Sequence, residues 1–287
     1  MHHLSIPSPP SNSFTVFGFD VHYYALFILA GIVAALLIGV RRMTLRGGEG
    51  GLILDIAIWA VPFGIIGGRI FHVLTHTGDY FGDGKELTKV LYIWEGGLAI
   101  YGAIIFGLIG AAIGARFAGV RLTSFLDIIV PGVILAQGIG RWGNYFNQEL
   151  FGLPTTLPWG LQIESSNPAI PQGMPFGTVY LPTFAYEFIW DIVGFALLIW
   201  LDRKFELRWG KLFALYLVYY SIGRFWIEGL RMDPSDYFFG LRTNQWSAVF
   251  AGLIGLGVIL YQRRNHTGTE KSVYLPGREP STATPAE

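Results

Sequence analysis

The sequence contains no cysteine, which removes several kinds of chemistry at once. Disulfide bonds, zinc or iron–sulfur centres held by cysteine, and a cysteine nucleophile are all excluded. Charged residues are also scarce, at 14% of the 287 residues, whereas soluble domains carry about a quarter. So few charges cannot cover a water-facing surface of this size, which argues against a soluble globular enzyme.

The sequence also has no excess of basic over acidic residues. Lys and Arg together number 20, Asp and Glu also number 20, and a nucleic-acid partner is therefore not expected. Apolar side chains, in contrast, make up 52% of the sequence and aromatic rings 16%. A high aromatic content is typical of proteins that cross a membrane several times, because these rings collect at membrane–water interfaces.

Long apolar runs predict an all-α polytopic membrane protein. A helix needs about 20 apolar residues to span the hydrocarbon core of a bilayer. Seven segments qualify, at roughly 22–40, 52–75, 97–115, 123–140, 184–201, 211–230 and 245–262. Residues 1–265 are therefore expected to form one seven-helix membrane domain. Residues 266–287, which are rich in Pro, Thr, Ser and Glu, are expected to form a disordered cytoplasmic tail.

The distribution of basic residues predicts how the segments are oriented. Most Lys and Arg residues follow the first, third, fifth and seventh segments, so the N-terminus is predicted outside and the C-terminus in the cytoplasm. With this orientation, most polar side chains of the segments lie in their outer halves. These residues are Tyr24, Arg69, Tyr101, Arg141, Glu187, Asp191, Tyr220, Arg224, Glu228 and Arg231.

The convergence of these residues at one depth predicts a polar cavity that opens toward the outer leaflet. A charge at the bilayer centre costs at least about 2.5–3.5 kcal/mol and usually faces a bundle interior or a water-filled cavity. Tyr220, Arg224, Glu228 and Arg231 share one helical stripe. The alternative interpretation is that these charges form structural pairs or lie at the interface.

Residues 140–152 read GRWGNYFNQELFG, an unusual set of functional groups for a membrane boundary. Arg141 offers a guanidinium, Asn144 and Asn147 offer amides, and Glu149 offers a carboxylate. Glycines, of which Gly152 is the last, allow close approach of the backbone. A guanidinium matches two phosphate oxygens at once, so this string suits a phosphate-bearing ligand. An ordinary turn with an interfacial arginine is the alternative.

This string closely resembles the signature G-R-x-G-N-[FY]-x-N-x-E-x-x-G of the prolipoprotein diacylglyceryl transferases, with every fixed position present. The resemblance covers most of residues 16–262 but not the tail. It includes HYYAL at 22–26, GGRI at 67–70, EGGLAIYG at 95–102, Asp127 with Pro131, and GRFWIEGLR at 223–231. Members of the family have seven transmembrane helices and an external N-terminus, in agreement with the topology predicted above.

The resemblance implies a transfer reaction in the bacterial plasma membrane, with the active site toward the outer leaflet. The diacylglyceryl group of phosphatidylglycerol passes to the thiol of the lipobox cysteine of a preprolipoprotein. A thioether forms, and glycerol phosphate leaves. Because the nucleophile belongs to the substrate, an enzyme without cysteine is consistent with this chemistry.

The resemblance also implies roles for particular residues. Arg141 and Arg224 match the family's essential arginines and are expected to stabilise the phosphate charge without a metal. The predicted catalytic residues are Arg141, Arg224, Tyr101, Glu149 and Tyr24. The predicted substrate-binding residues are Arg141, Asn144, Asn147, Gly152, Tyr220, Glu228, Arg231 and Arg69. No cofactor or metal is expected, although His72 and His76 stand four residues apart.

Tyr101 departs from the family pattern. Many relatives have a histidine at this position, and that histidine has been favoured as the base that activates the thiol. A phenol is almost wholly protonated at neutral pH and is a poor base in that form. The sequence therefore leaves open whether Tyr101, Glu149 or water takes the thiol proton.

Two other classes of function, a transporter or channel and a structural scaffold, fit the sequence less well. A transporter or channel for an anionic solute would use the same arginines, but it would also need polar groups in the inner half. Only Asp55 and Asp127 lie there, and the sequence shows no internal repeat of the kind found in many transporters. A structural scaffold would have no need of the outer charge cluster.

Overall fold

The computed structural model describes residues 5–82, 84–93, 96–266, 268 and 270–279, and these are mostly helical. A short 3-10 helix spans Leu87–Leu91. The α-helices are α1 (Tyr23–Leu45), α2 (Leu52–Thr75), α3 (Thr77–Tyr80), α4 (Ile100–Phe117), α5 (Leu122–Phe146), α6 (Thr183–Phe205), α7 (Lys211–Gly229) and α8 (Thr243–Asn265).

The long helices confirm an all-α polytopic membrane protein. Each of the seven predicted segments coincides with one long helix, with ends that differ by up to six residues. Within the described residues, six of these helices are long and apolar enough to cross a membrane. The exception is α7, because its charged and tyrosine side chains lower its mean hydropathy. Length and composition alone therefore support six membrane-spanning helices among the described residues.

Two compact units divide the described chain, and the first contains residues 5–38 and 126–268. Its core packs α5, α6 and α7 together through Val130, Ile134, Leu198, Leu212 and Tyr216. The first part of α1 packs closely against α5 in this unit. A side chain at Gly132 would place its Cβ only 2.8 Å from the Cα of Ala35, so glycine is required at this crossing.

Three small antiparallel sheets belong to the first unit, and the sequence analysis predicted none of them. Their strands are β1 (Ser13–Val16), β2 (Phe19–His22), β3 (Pro154–Thr155), β4 (Leu161–Gln162), β5 (Val179–Tyr180), β6 (Tyr237–Phe238) and β7 (Leu241–Arg242). The order in the middle sheet is β3-β5-β4. The β1–β2 and β6–β7 hairpins lead directly into α1 and α8. Strands of two to four residues are too short to produce a readable alternation of apolar and polar side chains.

Asp127 has a structural role that the sequence analysis did not predict. Its carboxylate is fully buried and accepts hydrogen bonds from the backbone N–H groups of Gly210 (2.7 Å) and Phe213 (2.9 Å). These N–H groups lie at the start of α7, where a helix leaves donors unsatisfied and carries partial positive charge. Asp127 therefore caps α7 from the neighbouring helix α5.

The second unit contains the described residues of 39–125 together with 270–279, and α2 packs against α4 within it. Glycines bring the two helices together, as small residues do in membrane proteins. A Cβ at Gly102 would lie 2.2 Å from the carbonyl oxygen of Gly67, and one at Gly110 would lie 2.6 Å from that of Trp59. The GxxxG spacings Gly64/Gly68 and Gly110/Gly114 lie in this contact, where a Cβ at Gly64 would be 3.4 Å from the Ala103 carbonyl oxygen and one at Gly114 would be 3.0 Å from the Ile56 Cα.

Residues 270–279, which the sequence analysis assigned to the disordered tail, make specific contacts in the second unit. Val273 and Tyr274 are buried, and Tyr274 forms a β-bridge with Val120. The Glu270 carboxylate pairs with Arg121 (3.3 Å). The apolar side chains at 273 and 274 interrupt an otherwise polar stretch and provide the packing. Residues 267, 269 and 280–287 of the predicted tail lie outside the described residues.

Candidate active site

The signature string is partly helical and partly a tight reversal of the chain. Helix α5 continues to Phe146, so Arg141 and Asn144 project from its last turns. After the helix ends, Gln148 and Leu150 adopt positive φ angles of 50° and 58°. This reversal brings Glu149 back to the helix, where its backbone N–H donates to the Asn144 carbonyl oxygen (3.1 Å). The alternative of an ordinary turn throughout 140–152 is therefore wrong.

The polar side chains of the string bind one another. The Asn144 amide donates to Glu149 Oε1 (2.7 Å), and Asn147 donates to the same oxygen at 3.4 Å. Arg141 Nη1 donates to Asn144 Oδ1 (3.4 Å). The two asparagines thus hold the Glu149 carboxylate, and Asn144 links it to the guanidinium of Arg141.

The carboxylate of Glu187 joins the two arginines for which the resemblance implies catalysis. Arg141 Nε lies 2.5 Å from Glu187 Oε2, and Arg224 Nη1 lies 3.6 Å from Glu187 Oε1. The three side chains come from α5, α6 and α7, and all are largely buried. Two guanidinium groups from different helices thus meet at one carboxylate, and guanidinium groups match the oxygens of an anionic ligand such as phosphate.

A small cavity adjoins this group. Glu187, Asp191, Tyr220 and Arg224 line it together with apolar neighbours, and it is just large enough to admit one water molecule. Asp191 lies one helical turn after Glu187 and is buried. The structure therefore brings Tyr220, predicted to bind substrate, to the same place as Arg224.

Glu228 is the centre of a second charged group, and its side chain is completely buried. Its Oε2 lies 2.8 Å from Arg224 Nη2 and 3.1 Å from Arg231 Nη1. Its Oε1 lies 3.0 Å from Arg242 Nε and accepts a hydrogen bond from Asn244 (3.1 Å). Because Arg224 contacts both Glu187 and Glu228, the two groups form one continuous network. Tyr220, Arg224 and Glu228 share one face of α7 as predicted, whereas Arg231 lies two residues beyond the end of the helix and contacts Glu228 from there.

Gly152 brings the end of the signature string against the end of α7. It forms a β-bridge with Arg231, and its N–H donates to the Leu181 carbonyl oxygen (2.9 Å). A Cβ at position 152 would lie 2.7 Å from the Leu181 Cβ and 2.9 Å from the Leu230 oxygen. Glycine is thus required here by backbone contact, and this contact accounts for its place in the string.

Tyr24, predicted to be catalytic, lies in the first unit at the start of α1. Its ring packs on Gly143 of the signature string, where a Cβ would lie 2.6 Å from the Tyr24 ring. The structure therefore brings Tyr24 together with the signature string as predicted.

Arg69, predicted to bind substrate, lies in the second unit, where its side chain forms hydrogen bonds to backbone carbonyl oxygens of that unit. Its guanidinium donates to the carbonyl oxygens of Val90 (2.8 Å), Gly96 (2.8 Å) and Gly97 (3.1 Å), and also to that of Lys89. Four of its five N–H groups are used in this way. Arg69 therefore holds the connection between α3 and α4 in place, and a role in substrate binding stays a prediction.

Tyr101 lies in the second unit at the start of α4, and its ring contacts Phe71 at a centroid distance of 6.4 Å. His72 and His76 also lie in this unit, with their rings stacked 4.3 Å apart. Among the residues that the structure describes, no group of three or more His, Asp or Glu side chains is arranged to hold a metal ion.

Several members of the charged network were not selected by sequence reasoning. The sequence predicts Glu187 among the polar groups of the outer half without a role in the reaction, although its position in an apolar helix is a usable signal. Arg242 and Asp233 follow α7 in a polar stretch with no distinguishing pattern. Asp233 lies 2.7 Å from Arg231 Nε and 3.0 Å from Arg242 Nη2. These contacts depend on a tertiary arrangement that spacing does not reveal.

Long apolar helices that carry a buried network of arginines and carboxylates define the chain as a multi-pass membrane protein with a charged internal site. The model of the family described as prolipoprotein diacylglyceryl transferase matches residues 11–261. The chain belongs to this family.

Similar proteins carry the name phosphatidylglycerol–prolipoprotein diacylglyceryl transferase. The protein of that name from Leifsonia xyli subsp. xyli is 47% identical over 286 residues, which cover 96% of this chain and 86% of the relative. The protein numbered 2 from Streptomyces coelicolor is 44% identical, with coverage of 95% and 85%. The protein from Mycobacteroides abscessus is 46% identical, with coverage of 97% and 83%.

Proposed function

We propose that this protein transfers the diacylglyceryl group of phosphatidylglycerol to a prolipoprotein. Membership of the family and the names of relatives that it matches over more than four fifths of their length support this function. The acceptor in our proposal is the thiol of a lipobox cysteine in the signal peptide of the preprotein. This acceptor is consistent with a chain that has no cysteine of its own.

The observation that carries the proposed mechanism is the contact of Arg141 and Arg224 with the single carboxylate of Glu187. The donor phosphate is anionic, and its charge grows as glycerol phosphate departs. Two guanidinium groups held in a largely buried site stabilise such charge more strongly than they would in water. In our proposal the phosphate takes the place beside these arginines, while Glu187 keeps them oriented.

The transfer requires one bond to form and one to break. The cysteine sulfur forms a bond with the terminal glyceryl carbon of the diacylglyceryl group, and the bond between that carbon and the phosphate oxygen breaks. The departing oxygen keeps the bonding electrons, and the thiol proton is released. Tyr101, Glu149 or water takes this proton, and position 101 is tested below.

The same proposal includes the topology. We propose that α7 spans the membrane as the seventh helix, because Arg224 and Glu228 within it pair with each other and Glu228 is completely buried. The distribution of the basic residues supports an external N-terminus and a cytoplasmic C-terminus in this proposal. The charged network then faces the outer leaflet of the bacterial plasma membrane, and this is the side on which exported preproteins emerge.

The test is a transfer assay with purified protein, phosphatidylglycerol and a lipobox peptide that has either Cys or Ser at the acceptor position. We expect a thioether product with the Cys peptide alone. Arg224→Ala should lower kcat more than it raises KM for the lipid, because the arginine acts on the charge that develops. Arg208→Ala is the matched control, since Arg208 pairs with Asp202 (2.7 Å) instead of with this network.

Two results would contradict the proposal. If correctly inserted parent protein gave no thioether with the Cys peptide, the proposed reaction would be wrong. If Arg224→Ala changed only the apparent affinity for the lipid, Arg224 would be a docking residue, and its role in the chemical step would be wrong.

A further inference from the structure

The β6–β7 hairpin exposes three consecutive aromatic side chains. Tyr237, Phe238 and Phe239 are accessible to 68%, 62% and 82% of their surface. Together with the exposed Phe250 of α8, they make this part of the first unit apolar on its outside. Contiguous exposed apolar side chains mark a surface that contacts something other than water.

The backbone conformation of this hairpin's turn does not favour an aromatic residue. Phe238 pairs with Leu241, so Phe239 and Gly240 form a two-residue loop with φ angles of +47° and +76°. Two positive φ angles define a type I′ turn, for which Asn, Asp and Gly are preferred at the first position. A bulky side chain in the left-handed region costs backbone free energy. The ring of Phe239 is therefore present for a reason other than the turn.

The β1–β2 hairpin also has a phenylalanine at the first position of its turn. Its two-residue loop is Phe17–Gly18, with φ angles of +50° and +83°, and Phe17 is 97% exposed. This hairpin leads directly into α1, just as β6–β7 leads into α8. An exposed phenylalanine in the unfavourable position of a type I′ turn thus precedes two different apolar helices in one chain.

Contacts with α8 show the direction in which the β6–β7 hairpin lies. Trp246, in the first turn of α8, donates its indole N–H to the carbonyl oxygen of Phe238 (2.7 Å). The ring centroids of Phe238 and Trp246 are 6.2 Å apart, and those of Trp246 and Phe250 are 6.1 Å apart. The hairpin therefore folds back alongside the helix. Its rings continue the exposed aromatic surface of a helix that is apolar enough to cross a membrane.

We propose that the tip of the β6–β7 hairpin inserts into the headgroup region of the lipid bilayer beside α8. Aromatic side chains are favoured at this depth, and no groove of the kind that binds a peptide is needed to receive them. The two residues of the loop, Phe239 and Gly240, carry no charged or polar side chain. A lipid surface is the partner that accepts protruding rings of this kind.

The base of the same hairpin connects it to the charged network. Arg242 donates to the carbonyl oxygens of Arg231 (2.7 Å) and Asp233 (2.8 Å), and both arginines contact Glu228. An inserted tip therefore fixes the depth of Glu228 and Arg224 relative to the lipid headgroups. The importance of this depth for catalysis rests on the proposed function, whereas the insertion of the hairpin tip does not.

The experiment uses the full chain in vesicles that contain phosphatidylglycerol and a nitroxide-labelled lipid. Because the protein has no cysteine, Tyr237→Cys introduces one thiol for an environment-sensitive fluorophore. The hairpin is compared with and without Phe239→Asn, which replaces the ring but creates the preferred Asn–Gly turn. A label at Ser166→Cys, an exposed loop position of the same unit, is the control.

We expect a nitroxide near the headgroups to quench the label at 237 at least about twofold more than the label at 166. Phe239→Asn should remove most of this difference without loosening the hairpin. Equal quenching at 237 and 166 would overturn the proposal. A label at 237 that ignores the nitroxide but responds to an added lipobox peptide would overturn it as well, and would make the hairpin a peptide-docking surface. Neither result depends on transfer activity, so failure of the proposed function remains distinguishable.

Discussion

Replacing Glu228 with glutamine removes one negative charge from the centre of the network without changing the volume of the side chain. Glu228 is fully buried, and each of its oxygens faces two donors. Arg224 and Arg231 face Oε2, while Arg242 and Asn244 face Oε1. An amide has one acceptor oxygen, so its NH2 group must face two donors on the other side.

The structure indicates the size of this effect. Removing one partner of a buried ion pair leaves an uncompensated charge and costs about 3–5 kcal/mol. Here three guanidinium groups lose their common partner, so the upper part of this range is expected. Asp233→Asn is the matched control, because Asp233 contacts two of the same arginines but its side chain is 22% exposed. Partial exposure to solvent weakens its ion pairs, and a cost of about 1 kcal/mol is expected.

Both variants are compared by the free energy of unfolding in mixed detergent micelles and by the transfer assay. Glu228→Gln should be much less stable than Asp233→Asn, and it should also lower kcat because Arg224 loses one of its two carboxylate contacts. If Glu228→Gln proved no more destabilising than Asp233→Asn, the reasoning that places Glu228 at the centre of the network would be refuted.

Three further predictions concern single positions. Arg141→Ala should abolish transfer in correctly inserted protein and Arg141→Lys should restore little, since lysine lacks the planar fork; a lysine variant with near-parental turnover would contradict this. Tyr101→Phe should slow transfer by roughly tenfold to a hundredfold, or about 1.4–2.8 kcal/mol of barrier, while Tyr101→His retains activity; rate–pH profiles of both variants check this, and complete inactivity of Tyr101→Phe together with full activity of Tyr101→His would make position 101 the base. Gly152→Ala should lower the free energy of unfolding by about 1–3 kcal/mol, because its Cβ would lie 2.7 Å from the Leu181 Cβ; an unchanged melting curve would disprove it.

The membrane helices were predictable because the bilayer imposes a simple rule of length and apolarity on each of them. Their ends were less predictable, since helical hydrogen bonding continues past the hydrocarbon core. Helix α5, for example, extends from the predicted residue 140 to Phe146 in spite of Gly140 and Gly143. The short hairpins left no pattern in the sequence that could be detected.

The candidate site was predictable only in part. Arg141, Arg224 and Glu228 were found because charges in apolar helices are costly and therefore conspicuous. Arg242 and Asp233 were missed, because a charge in a polar connection looks like any other surface charge until its tertiary partners are known. Arg69 was conspicuous for the same reason as Arg141, yet its N–H groups are used by backbone carbonyl oxygens.

The packing of residues 270–279 has a consequence for the order in which the protein is made. Tyr274 pairs with Val120, and Glu270 pairs with Arg121, so the connection between α4 and α5 contacts residues that leave the ribosome about 150 positions later. Each membrane helix is synthesised before this connection has its partner. The second unit therefore completes its fold only after residues 270–274 have been synthesised, and a stop codon before residue 270 would leave all seven long helices intact but that unit unfinished.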